Sequence, residues 1–245
     1  MSNCLSNQER MLLQSKVFHA AAKMFLERGY SHTTTRALAE CAGVNVSAMN
    51  REFGSKENIL CGLVQYVLDG QLNAARKLIQ GKTEDMVIFY SVETALQLNM
   101  AESSEAVRDL YLTAYSMARS SELIHKAVAE ALLPKIFGTY LPEFDPALFY
   151  QLEIASGGIM RGYIGVPCSP DFTIEQKTER FLDAALRVYR VPEDRIREAI
   201  GFVKQFELGS VARHTIDSMM RALEDPDQPE IQLISNHTPK EEGTI

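Results

Sequence analysis

Few side chains in this 245-residue sequence stand at spacings that do covalent chemistry. Cys4, Cys41, Cys61 and Cys168 lie far apart, with no Cys-x-x-Cys or Cys/His spacing of a zinc site. His125 and His214 are isolated and read as surface or helix-capping residues. Ser156-Gly157-Gly158 lacks the strand that a nucleophile elbow or phosphate loop requires, so it reads as a place where two helices approach closely. No nucleophile is set beside a base. The sequence therefore points away from an enzyme and from a bound metal or cofactor. The stretch with a chemistry of its own runs from Thr33 to Phe53. Two short segments begin at capping residues, Thr33-Thr34 and Asn45, and meet at Ala42-Gly43, where glycine permits a tight turn. Leu38, Ala39, Val44, Met49 and Phe53 supply a small core. That is the economy of a helix-turn-helix, whose first helix crosses a phosphate backbone and whose second lies in the major groove.

The elements that must position this unit are helical. Ser6-x-x-Glu9 is a capping box, and Leu13, Val17, Ala20, Ala21, Met24 and Phe25 follow at helical spacing up to Gly29. Ser55 caps a long helix that carries Ile59, Leu60, Leu63, Val64, Val67 and Leu68 and ends before Gly81. Further apolar-periodic segments cover about 84–101, 104–119, 121–138, 146–164, 173–189 and 193–223, with Pro192 in the first turn of the last. Strand-like alternation is scarce. The expected fold is all-α: a three-helix helix-turn-helix head at 6–54, then an all-helical ligand-binding and dimerisation domain at 55–223. Residues 224–245 carry Pro226, Pro229 and Pro239 among acids and read as a disordered tail.

Charge is unevenly divided. The chain carries a formal −7, yet residues 1–56 hold seven lysines and arginines against four glutamates. A small basic head on an acidic body suits a DNA reader with a separate regulatory part. The N-terminus is polar, and no run approaches the roughly 18 apolar residues that cross a bilayer. A reduced, cytoplasmic setting without membrane attachment is expected.

Several residues at fixed offsets resemble the TetR family of bacterial transcriptional regulators. They are Ala20-Ala21-x-x-Met24-Phe25, Gly29-Tyr30, Thr33-Thr34, Leu38-Ala39, Ala42-Gly43-Val44 and Phe53-x-Ser55-Lys56-Glu57. The resemblance implies roles for particular positions. Thr33 and Thr34 would set a helix N-terminus against phosphate. Arg36 would touch DNA from the second helix, and Lys56 would contact phosphate. Asn45, Val46, Ser47, Asn50 and Arg51 belong to the recognition helix and its cap, with Arg51 suited to a bidentate contact with guanine. This chain departs from the family at Ser47, Met49, Asn50 and Glu52. Glu52 is the awkward one, because a carboxylate repels phosphate; it must point away, find a cation such as Arg51 or Lys56, or accept from a cytosine amine.

For the body the resemblance implies about six helices, a homodimer and a small-molecule effector. Phe181, Leu182, Ala185, Leu186 and Val188 would pack with Ile196, Ile200, Val203, Phe206, Val211 and Ile216 as a dimerisation pair, part of which can instead be monomer core. Tyr90, Glu93, Met100, Tyr111, Tyr115, Tyr150, Glu153 and Met160 are the candidates for the ligand pocket, and Glu93, Glu153 and Arg161 would be telling if buried. The expected function is a repressor that leaves a near-palindromic double-stranded operator when an effector binds. The alternative is a regulator of the same architecture that acts through a protein partner without DNA.

Overall fold

The computed structural model describes residues 6–143 and 145–224. Twelve helices order these residues: α1 (Asn7–Arg28), α2 (Thr35–Cys41), α3 (Val46–Phe53), α4 (Lys56–Ile79), α5 (Met86–Ala101), α6 (Glu105–Ser116), α7 (Ala118–Ala131), α8 (Leu133–Phe137), α9 (Pro146–Ile164), α10 (Ile174–Val188), α11 (Glu193–Val203) and α12 (Leu208–Glu224). No strand forms among the described residues; one isolated bridge joins Ser169 and Phe172. None of these helices is long and apolar enough to cross a membrane. The tail expected at 224–245 falls, after Glu224, outside the described residues.

Capping chemistry sets most boundaries. Ser6 and Glu9 form the reciprocal capping box of α1, and Gly29 ends that helix at φ 78°. Thr34, Asn45, Ser55 and Asp85 each accept a backbone N–H at the start of the following helix. Pro192 is the N-cap of α11 rather than part of its first turn.

Two expected single helices are each two. The 121–138 segment breaks at Leu132, because Pro134 has no N–H to donate back into α7 and starts α8 instead. The 193–223 segment breaks across 204–207, where no glycine or proline marks it. There Phe206 packs on the central core and the Lys82 ammonium lies 4.4 Å from its ring centroid, so tertiary contacts override a continuing helical pattern. With these breaks the body from α4 onward has nine helices among the described residues, not six.

α5 is the axis of the body. Its sequence, MVIFYSVETALQLNMA, is apolar all round, and α4, α6, α8, α9, α10, α11 and α12 pack on it. A head cluster joins Val17, Phe18, Phe25, Leu38 and Met49 to Leu60 and Leu63 of α4 and Leu223 of α12. α1 also packs against α6, so the head is continuous with the body rather than strung from it. Phe181, Leu182, Ala185, Leu186, Ile196 and Val203 are all buried within this one chain. Val188, Ile200, Phe206, Val211 and Ile216 pack against the same cores. Part of the faces expected to meet a second copy is therefore monomer core, while Val188, Ile200, Phe206, Val211 and Ile216 stay partly exposed.

Candidate functional site

In the head, α2 and α3 are held at their angle by a turn in which Gly43 adopts φ 63°, a conformation that glycine takes without penalty. Leu38, Ala39 and Met49 are buried beneath the turn. Phe53 meets Phe18 of α1 edge-on at 5.3 Å. These contacts fix which residues face out. Thr34, Arg36, Asn45, Val46, Ser47, Asn50 and Arg51 are all exposed, and positions 46, 47, 50 and 51 share one helical face. Arg36 and Arg51 enter no ion pair among the described residues.

Three head residues do something other than what their sequence context suggests. Thr33 is 1% exposed; its hydroxyl donates to the Gly29 carbonyl at 2.9 Å, so it ties α1 to the turn and is absent from the outer face. The Lys56 ammonium donates to the Tyr30 and Thr33 carbonyls, both at 2.8 Å, and sits 4.0 Å from the Tyr30 ring centroid. Two of its three N–H groups thus staple α4 to the loop before α2, leaving one for another acceptor. Glu52 accepts from Arg10 at 2.6 Å and from Gln14 at 2.5 Å, both on α1. Its side chain is only 10% exposed. The carboxylate is a strut between α3 and α1, and neither Arg51 nor Lys56 is its partner.

Behind the head lies a cavity of about 310 Å³ that reaches from Leu26 of α1 past α4, α5 and α6 to Ser156 of α9. Tyr90, Glu93, Met100, Tyr111, Tyr115, Glu153 and Met160 all line it. Tyr150 does not; it packs against the distal core and faces the His125 ring. Arg161 is exposed and bonds Ser116. A hydrogen-bonded relay runs along one wall: Tyr111 donates to Gln71 at 2.9 Å, and Gln71 donates to Glu93 at 2.7 Å. Gln97, one turn from Glu93, donates to the Tyr115 oxygen at 2.9 Å. Opposite, Glu153 accepts from Tyr189 at 2.8 Å, and Tyr90 shares a 2.9 Å hydrogen bond with Ser156.

Burial, reinforced by the charge of Glu153, pushes the Glu93 carboxyl up to about 7. Burial pushes the phenols of Tyr90, Tyr111 and Tyr115 upward as well. His125 is buried, contrary to the surface position expected of it; its Nδ1 lies 3.7 Å from Glu153 and has no hydrogen-bond partner. It fits because Gly157 offers no Cβ: one there would collide with the imidazole. The Ser156-Gly157 stretch thus brings α7 and α9 close together, as its composition suggests.

Residues 17–61 match the family model described as bacterial regulatory proteins, tetR family. The match gives this N-terminal region the sequence pattern of the TetR family. Those residues span the α1 core, the helix-turn-helix and the start of α4, so the outward face described above lies within the matched region. The chain is 24% identical over 167 residues to the probable HTH-type transcriptional regulator YttP of Bacillus subtilis (strain 168), covering 67% of this chain and 73% of that one. Its fold is similar to the crystal structure of RolR with the ligand resorcinol: TM-score 0.59, 14% identity, 80% of this chain and 96% of RolR. The family match covers the head and ends at the start of α4. Gln71 and Gln97 are polar cavity residues that the sequence reading did not single out. Gln71 continues the stripe of Leu60, Leu63, Val64 and Val67, and Gln97 is four residues from Glu93; each is a polar side chain on an apolar helical face, which is the signal that would have found them.

Proposed function

We propose that this chain is a TetR-family regulator that binds a near-palindromic operator as a homodimer, represses from it, and leaves it when a small molecule fills the cavity. The observation that carries the reading is the path of α4. The same helix that starts at the Lys56 staple in the head presents Gln71 to the cavity, about 22 Å further along its axis. A ligand that engages the Gln71–Glu93 wall biases the position of α4, and with it the head. It acts only through its difference in affinity between the two arrangements.

Thr34, Arg36, Asn45, Val46, Ser47, Asn50 and Arg51 are the proposed DNA contacts. Phosphate contacts position the head, and Arg51 reads a base. Lys56 keeps one donor for phosphate, whereas Thr33 is left as a structural tie. Tyr90, Glu93, Met100, Tyr111, Tyr115, Glu153 and Met160, together with Gln71 and Gln97, are the proposed effector contacts. The partner-protein reading rested on the departures from the family at Asn50 and Glu52. The Arg10–Glu52 pair removes the Glu52 part of that motive, and the exposed Asn50 amide still offers a donor toward DNA.

The dimer contact we assign to the outer face of α9, where Ala147, Gln151, Ile154, Ala155, Gly158 and Gly162 are exposed in a row and Ile154 is 48% exposed. Small residues there let a second copy approach closely, and two heads then address half-sites roughly 34–36 Å apart or a multiple of it. Selection of bound duplexes from a random pool tests the reading. An inverted repeat is expected, and Ile154→Glu is expected to yield a monomer in light scattering that binds the selected site weakly. A selected pool with no shared sequence, or an undisturbed dimer of that variant, contradicts it.

A further inference from the structure

We propose that the effector is an organic cation, a protonated amine or amidine on an aromatic or branched apolar body, with its charged nitrogen seated between Glu93 and Glu153. The inference rests on the reading of the cavity as the effector site and adds the chemistry of what enters it.

Two carboxylates from facing helices, α5 and α9, share one cavity, and they are 6% and 5% exposed. Neither is paired with a lysine or arginine among the described residues. Glu93 accepts one hydrogen bond, from the neutral Gln71. Glu153 accepts from a tyrosine, and the one nitrogen near its other oxygen, His125 Nδ1, lies beyond hydrogen-bond reach at 3.7 Å. Such burial of a carboxylate is costly unless a counter-charge arrives.

The body does pair buried charge when the pairing is structural. Lys177, fully buried, reaches Glu102 at 2.5 Å, and Arg108 bonds the other oxygen of the same carboxylate at 3.0 Å. The cations that do belong to the cavity's lining, Arg76 and Lys135, are exposed. Arg76 is engaged by Asn73 and lies over the Phe89 ring. Neither forms an ion pair with Glu93 or Glu153.

The walls between the two carboxylates also suit a cation. Tyr90, Tyr111 and Tyr115 present aromatic surface, whose quadrupole attracts positive charge most strongly where water is excluded. Met100 and Met160 offer adaptable apolar surface for the rest of the molecule. An anionic ligand would bring further negative charge into a space where burial already disfavours ionised Glu93, whereas a cation would favour it. A neutral phenol could donate to the carboxylates but would leave their charge uncompensated.

Calorimetric titration of the full chain with matched probes tests the assignment. Phenethylamine and benzamidine are the cations, phenethyl alcohol and benzamide their neutral counterparts, and resorcinol a neutral diphenol. The cations are expected to bind wild type about ten-fold or more tightly than their neutral counterparts and to lose that advantage in Glu93→Gln/Glu153→Gln. The two glutamines keep the shape of the site and can still accept from Gln71 and Tyr189, so neutral probes serve as the folding control. Equal binding of charged and neutral probes, preferential binding of resorcinol, or unchanged amine affinity in the double variant overturns the cation assignment and leaves the effector site standing. A variant that fills the cavity, Ala114→Trp, is expected to block all probes. Amine binding that survives in it, or no binding of any probe to wild type, overturns the effector-site reading together with the cation assignment.

Discussion

Two acidic sites in the body of this protein, one around the half-buried Glu102 and one around the buried Glu93, are built on opposite principles. At Glu102 the chain supplies everything the carboxylate needs. Burial would push its proton affinity upward, but the Lys177 ammonium, the Cys168 N–H and Arg108 outweigh that and hold the carboxyl below its ordinary range. At Glu93 burial wins, because the chain offers one neutral amide and a second carboxylate. The first site fastens the segment between α9 and α10 to the end of α5. The second faces an empty space. The head shows the same division on its surface: Glu52 is paired with Arg10 and braces two helices, whereas Arg51 is left with no ion pair and faces outward. Charges that the chain neutralises hold the fold; charges it leaves without an ion pair face the cavity or the outer side of the head.

The largest effect is expected where an internal pair is broken. Lys177→Ala takes the buried ammonium from Glu102, which keeps Arg108 and the Cys168 N–H, removes the donor to the Val166 carbonyl and opens a buried gap, and should cost about 3 kcal/mol in urea unfolding. A loss below about 1 kcal/mol would erase the distinction between the two sites.

Next is the pH dependence of the unpaired site. The Glu93 carboxyl rises from 4.5 to about 7 on folding, so between those values the folded state holds a proton that the unfolded state has released. Its contribution to stability is complete below 4.5 and is lost as pH climbs through 7, by about 3 kcal/mol in all. The ionisable groups around it are Glu153, His125 and the phenols of Tyr90, Tyr111 and Tyr115. Glu93→Gln should therefore flatten the stability profile across that window relative to wild type, and above pH 7 it should be the more stable protein. Parallel profiles would show that Glu93 is neutralised by something internal.

In the head, Arg51→Ala should weaken specific DNA binding by about 1–3 kcal/mol in an anisotropy titration while leaving thermal stability unchanged. The smallest effect is expected at Glu52. Its partly exposed pair with Arg10 is worth about 0.2–1 kcal/mol, and Glu52→Gln should lose no more than that in stability and leave DNA affinity as it is. Tighter DNA binding by that variant would mean that the carboxylate faces phosphate after all.

How much of this was legible from residues alone differs between head and body. The head is written locally: Ser6, Thr34, Asn45 and Ser55 cap, and Gly29, Gly43 and Gly54 punctuate, so helix limits follow from short-range chemistry. The α9 span, 146–164, is legible for the same reason, since Asp145 caps and Pro146 starts it. The division of 193–223 was not, because Phe206 is drawn out of helical register by contacts remote in sequence. The apolar stripes of α10 and α11 were legible as faces, but periodicity does not say whether a face meets its own chain or a second copy. Glu93 and Glu153 stood out as acids on apolar helices. That they share one cavity, and that His125 is buried beside them, depends on the close approach of α7 and α9 at Gly157.

The central claim is that this fold presents a DNA-reading face. The direct measurement is an electrophoretic shift of the duplex upstream of the protein's own gene, titrated at low and raised salt beside an unrelated duplex of equal length. The account predicts a discrete retarded complex on the upstream DNA that weakens steeply with salt and survives excess unrelated duplex. No retardation at low salt, or equal retardation of both duplexes, would contradict it.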